Sequence, residues 1–266
     1  GMVYFSEDTH YSVAKILRLQ HTRNIMIRSQ QGGEIDYEDL EESIKIHRDV
    51  PPIIFANAGT TMTGAVDNLD KIREVLDRLC IQQYYIHVDA ALSGMILPFL
   101  KNPPSWDFSS GADSMSISGH KMLGSPIPCG VALARKSHVD RISRSVEYVG
   151  ALDTTISGSR NAFTPLILWY AIRTKGEEGL VKLMYRSLAT ADYAVEQLQK
   201  AGIDAWRHQN SITVVFPKPP PSILKKWILA PYEDICHLIT VPSVDRKTID
   251  LFVEDFKNAL RSREEN

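Results

Sequence analysis

The sequence predicts an α/β protein: a mainly parallel, doubly wound sheet followed by a small C-terminal α/β unit. Two observations carry this reading. Short apolar runs alternate with segments of helical period from Val3 to Ala134, the pattern of repeated βα units. From about Ser137 the pattern turns helical, and only two further strand-like runs appear before the end.

Taken in order, Val3–Ser6 reads as a strand and Tyr11–Gln20 as a helix. Ile25–Arg28 is strand-like. Asp36 then caps a helix over Tyr37–His47, whose first turn is crowded with acidic residues that suit the positive end of the helix dipole. Ile53–Asn57 is a short buried strand, Asn68–Leu79 a helix and Tyr84–Asp89 the next strand. Ser114–Ser118 and Gly130–Ala134 complete the sheet. Thr164–Arg173 and Leu180–Lys200 are long helical patterns, the second a candidate link between two units. Ile212–Phe216, a proline cluster at Pro217–Pro221, His237–Val241 and a helix over Asp245–Arg261 form the tail. The expected division is 1–178 and 179–266.

At 266 residues the chain is long enough to bury a sizeable core. Its net charge of −2, with Lys and Arg dispersed, argues against a nucleic-acid or polybasic membrane surface. The longest apolar stretch, near Pro165–Ile172, is too short to span a bilayer. Three cysteines without a C-x-x-C pattern suggest neither a disulfide framework nor a zinc knuckle, and they suit a cytoplasmic location.

The chemistry-bearing residues fall at strand ends, where α/β proteins keep their ligands. Lys121 follows the strand ending Ser118-Gly119-His120 and precedes a Gly/Pro-rich loop. A lysine that forms a Schiff base needs part of its amine neutral, which a desolvated pocket favours; a surface loop lysine is an equal competitor. Asp89 ends the run Ile86-His87-Val88 and is followed by Ala90-Ala91. A carboxylate there suits a pyridine nitrogen, while an ordinary turn-starting Asp is the blander reading. His10, in Asp8-Thr9-His10-Tyr11-Ser12, is either a helix-start neighbour or a ring stacked on a ligand. Thr60 and Thr61 lie in a hydroxyl-rich turn after a buried strand, suited to bonding a ligand oxygen or Asp89, or to being a plain loop. His87 and Asp89 share a strand face, but no third ligand stands nearby, so no metal site is expected.

Together SEDTHYSVAK, GEIDYEDL, NAGTTMTGAVDN, HVDAALSGMILPF, SGHKMLGSPIPCG and GSRNAFTPLILW resemble the group II pyridoxal-phosphate (PLP)-dependent amino-acid decarboxylases. The resemblance runs over nearly the whole chain. It implies PLP fold type I, the aspartate aminotransferase-like architecture, with pyridoxal 5'-phosphate as cofactor. It implies Lys121 as the Schiff-base lysine, Asp89 as the pyridinium partner, and His10 and Ala91 against the two ring faces. Ser118 and His120 would contact the phosphate, and Thr60 or Thr61 would support the ring oxygen or Asp89. An amino-acid substrate and a homodimer with its active site at the interface follow from the same resemblance. L-histidine, giving histamine and carbon dioxide, is the leading expectation. Serine or another amino acid is the alternative within the chemistry, and an inactive remnant serving as a dimerisation module is the alternative outside it.

Family members carry a segment upstream of this region that helps cradle the phosphate. Gly1-Met2 leads straight into the first strand, so the chain is expected to lack about the first third of the family pattern. Alone it is expected to bind PLP poorly and turn over little. A proton donor stays unassigned: Val149–Gly158 holds no tyrosine, and Tyr148 stands at its edge. Arg160 is a candidate carboxylate sensor or a loop salt bridge.

Overall fold

The computed structural model describes residues 1–146, 150–155 and 158–264. Its centre is a six-stranded sheet in the order β2-β1-β3-β4-β5-β6. The strands are β1 (Met2–Ser6), β2 (Asn24–Ile27), β3 (Pro52–Asn57), β4 (Tyr85–Asp89), β5 (Ser114–Ser118) and β6 (Gly130–Ala134). All pairings are parallel except β5 with β6, which are antiparallel.

Alternation of side chains along each strand divides two cores. Tyr4 of β1, Ile54 and Ala56 of β3, Ile86 and Val88 of β4 and Met115 of β5 face one side. There they pack on helices α2 (Tyr37–Ile46) and α3 (Leu69–Arg78) through Leu40, Ile44, Ile72, Val75 and Leu76. Val3 and Phe5 face the other side, against Val13 and Leu17 of α1 (Ser12–Leu19), with Ile53 and Phe55 alongside. Helices thus cover both faces, as a doubly wound sheet requires. Asp36 caps α2 by accepting from the Glu38 and Asp39 amides at 3.0 and 3.1 Å. Asn68 caps α3 in the same way.

After β6 come the short helix α4 (Lys136–Ile142) and a two-stranded hairpin, β7 (Arg144–Val146) with β8 (Ala151–Asp153). The hairpin was not expected from the sequence. The two expected long helices run together as α5 (Phe163–Lys200), interrupted where Gly176 adopts φ 60°, ψ −175°. That backbone conformation is open to glycine and strained for other residues. Beyond the break, Ala191, Ala194 and Leu198 join Phe216, Ile249, Phe252 and Phe256 in a separate C-terminal core. This core is built on β9 (Thr213–Pro217), α6 (Pro221–Trp227), β10 (Ile235–Ile239) and α7 (Arg246–Glu264). The end of the proline cluster starts α6, because Pro221 occupies a helical first-turn position that needs no N–H.

A fourth cluster joins the sheet to the C-terminal core. Leu92, Ile96 and Met122 from the sheet side meet Met184, Leu188 and Ile212. His208 adds a hydrogen bond from its Nε2 to the Gly32 carbonyl at 2.7 Å. No helix among the described residues is long and apolar enough to cross a membrane. Cys80, Cys129 and Cys236 are free thiols.

Candidate active site

A cavity of about 330 Å³ opens at the carboxyl ends of β1, β3, β4 and β5. His10, Thr60, Thr61, Asp89, Ala91, Ser118, His120 and Lys121 all line it. These eight residues singled out in the sequence are therefore brought to one place. Ser12, Asn57, Ser116 and Ile239 share the wall, and sequence reasoning gave none of these a role.

Strand geometry explains the convergence. On β4, Ile86 and Val88 enter the core, so His87 and Asp89 face the opposite side, where the ring of His87 lies 4.7 Å from that of Phe55. On β5 the sequence Ser-Met-Ser-Ile-Ser alternates strictly. Met115 and Ile117 pack against the core, and Ser114, Ser116 and Ser118 take the site face. That alternation is the signal that would have found Ser116. Ser114 bonds the Nδ1 of His87 at 2.8 Å, and burial holds the His87 imidazole below the ordinary histidine value.

Asp89 accepts a hydrogen bond from the Ala91 amide at 3.0 Å and a longer one, 3.4 Å, from the Ser116 hydroxyl, both on Oδ1. Among the described residues its Oδ2 has no hydrogen-bond partner, and no ion pair includes Asp89. Lys121 is half-buried, and desolvation lowers its amine from the usual lysine value, partly offset by the Asp89 charge. The cavity thus pairs a desolvated amine with a carboxylate that has an unused oxygen.

The threonines divide their tasks. Thr60 is buried, its hydroxyl 2.8 Å from that of Thr63, and it accepts from the Ala65 amide at 3.0 Å. It closes its own turn. Thr61 is exposed. Neither bonds Asp89 among the described residues; Ala91 and Ser116 do this instead.

Beneath the turn lies a polar network that the sequence did not disclose. Asp67 is fully buried. Its Oδ1 accepts from the Ile35 amide at 2.7 Å, and its Oδ2 from the Asn57 amide and side chain at 2.7 and 2.9 Å. Asn57 in turn reaches Ser6 and Thr9, just before His10. Burial outweighs these donors and pushes the Asp67 carboxyl up to about 6. Asp67 thereby ties β3, the Thr60 turn and the approach to α1 together. Its only sequence cue is an acid one residue before a helix cap.

On the other side of the cavity, the Nδ1 of His120 stands 3.1 Å from both the amide and the carbonyl of Cys129. The Ser118 hydroxyl has no hydrogen bond to protein among the described residues. Gly119, between them, permits close packing: a Cβ there would lie 2.6 Å from both Cys129 Sγ and the Leu168 side chain of α5. Arg160 is exposed and does not line the cavity; its charge acts on Asp153. Tyr148, Val149 and part of the stretch after it lie outside the described residues. No cluster of three or more His, Cys, Asp or Glu fit to hold a metal occurs among the described residues.

Fold and cavity together define a mostly parallel α/β protein with a lysine–carboxylate site at the strand ends. The chain belongs to the pyridoxal-dependent decarboxylase family, whose conserved-domain model matches residues 2–216. It is 50% identical to the histidine decarboxylase of Pseudomonas entomophila over 96% of this chain and 64% of that protein. Identity is 50% to that of Morganella morganii, covering 96% of this chain and 68% of the relative. For Klebsiella aerogenes the figures are 49%, 99% and 70%. The chain therefore spans about two-thirds of the length of these relatives.

Among solved structures it resembles L-methionine decarboxylase from Streptomyces sp. 590, with a TM-score of 0.85 at 22% identity, over 97% of this chain and 70% of that one. Mouse CSAD matches with a TM-score of 0.80 at 22% identity, over 97% and 64%. These likenesses establish the fold, PLP fold type I. The donor set also fits PLP: a half-buried lysine, a carboxylate with a free oxygen, a small Ala91 wall facing the cavity and the unbonded Ser118 hydroxyl.

Proposed function

We propose that this chain carries the cofactor-binding core of a PLP-dependent carboxy-lyase that converts L-histidine to histamine and carbon dioxide. The carrying observation is the pairing of Lys121 and Asp89 in one cavity, with Lys121 desolvated and Asp89 Oδ2 unused. The choice of histidine is supported by the identity of about half of the aligned residues to three histidine decarboxylases.

Bound here, PLP would supply an electron sink for the pair left on Cα when carbon dioxide departs. The protein's part follows from the cavity. Lys121, whose amine is lowered from the usual lysine value by desolvation, would be the nucleophile that holds the cofactor. Asp89, fixed by the Ala91 amide and Ser116, has Oδ2 free and would hold the ring nitrogen of the cofactor in its protonated form. His10 and Ala91 would bound the cofactor ring, Ser118 and His120 would hold its phosphate, and Thr60 shapes the turn that presents Thr61. Orientation and electrostatics are the protein's contribution.

The same reading includes a homodimer. Phe163, Leu166, Trp169 and Tyr170 of α5 are each more than half exposed, an apolar strip that favours self-association. It also includes a cytoplasmic location, which the three free thiols suit.

The test is a substrate panel. The protein comprising this chain, supplied with PLP, is offered histidine, serine, methionine and aromatic amino acids, and the amines are identified by mass spectrometry. Histamine as the dominant product is expected. Ethanolamine or another amine in its place would overturn the substrate assignment.

A further inference from the structure

His10 has one nitrogen already committed. Its Nδ1 lies 2.7 Å from the Ser12 hydroxyl and 3.3 Å from the Ser12 amide nitrogen. A backbone N–H only donates, so an Nδ1 that meets it must present its lone pair. The hydroxyl has freedom to donate or accept, and beside such a lone pair it donates. Nδ1 therefore accepts twice, and the ring proton belongs on Nε2. Among the described residues Nε2 has no protein partner, while the ring lines the cavity with Lys121 and Asp89. His120 differs, because its Nδ1 meets both an amide and a carbonyl of Cys129 and neither tautomer is selected.

We propose that Ser12 is a positioning residue that fixes His10 in the Nε2–H tautomer. The imidazole then offers the cavity a hydrogen-bond donor and no acceptor. The group it suits is an anionic oxygen, such as the carboxylate of an amino-acid substrate. That last clause rests on the decarboxylase reading; the tautomer does not.

The test uses imidazole nitrogen NMR on the 15N-histidine-labelled protein without added cofactor, at a pH where the ring is neutral. In the wild type, the long-range spectrum of His10 shows one species, with a pyridine-like Nδ1 and a pyrrole-like Nε2. Ser12→Ala keeps the amide but removes the hydroxyl. The Nδ1–H form should then rise about five-fold, the worth of one neutral hydrogen bond. Ser12→Thr, which keeps the hydroxyl, should restore the wild-type spectrum. Circular dichroism confirms that each variant is folded, and the threonine variant serves if the alanine variant is not. A wild-type His10 with its proton on Nδ1, or a folded Ser12→Ala spectrum identical to wild type, overturns the proposal. The result stands apart from catalysis, so an unexpected substrate leaves it intact and a mixed tautomer leaves the enzyme class intact.

Discussion

At Lys121 two opposing effects act on one amine. Desolvation lowers its affinity for a proton and the Asp89 carboxylate raises it, with desolvation the larger. The sign of a change at Asp89 follows. Asp89→Asn removes the raising influence, so the onset of Lys121 acylation moves to lower pH, as followed by peptide mass spectrometry over a pH series. An unchanged or upward shift contradicts the pairing. Thr60 and Thr61 give a second residue-level contrast. Thr60→Val removes two hydrogen bonds from a buried turn and should cost about 1–3 kcal/mol in denaturant unfolding. Thr61→Val, at an exposed position, should leave stability nearly unchanged. Lys121, Asp89 and His10 were legible in the sequence because strand-end residues converge by rule. Which threonine bonds what was not, since a hydroxyl's partner depends on the local turn.

Elements hold these residues through the Asp67 network. The Asp67 carboxyl is raised from 3.8 to about 6 in the folded protein, so the folded state binds this proton more tightly than the unfolded state. Its contribution to stability is therefore complete below pH 3.8 and lost as pH rises through about 6. The melting temperature of the wild type should fall across that window. Asp67→Asn should flatten the slope and lower stability overall, because its NH2 group would face the donor of either Ile35 or Asn57. A slope unchanged in Asp67→Asn would assign it to another group. Most strands and helices were read within a residue or two, through apolar periodicity and the cap Asp36. The β7–β8 hairpin was missed because Arg144–Val146 and Ala151–Asp153 are too short to show a period. The Asp67 network escaped because it joins residues 32 and 51 positions apart.

For the whole molecule, sheet and C-terminal unit meet over Leu92, Met122, Leu188 and Ile212, and Ile239 of β10 reaches the cavity wall. The doubly wound sheet was evident in the sequence, since each βα repeat announces itself locally. The site's dependence on the C-terminal unit was not, because nothing near Ile239 marks it as a lining residue. The exposed strip on α5 makes a prediction at this scale. Trp169→Glu should shift the protein toward monomer in sedimentation velocity, without loss of helical circular dichroism. A dimer of unchanged stability would place the interface elsewhere.

If Lys121 takes PLP, borohydride reduction fixes the cofactor to that side chain. The protein is equilibrated with PLP, reduced with borohydride, digested and mapped. The phosphopyridoxyl group is expected on the Lys121 peptide, lost in Lys121→Ala and weakened in Asp89→Asn. Label spread over surface lysines, or retained at the same total in Lys121→Ala, would contradict that role for Lys121.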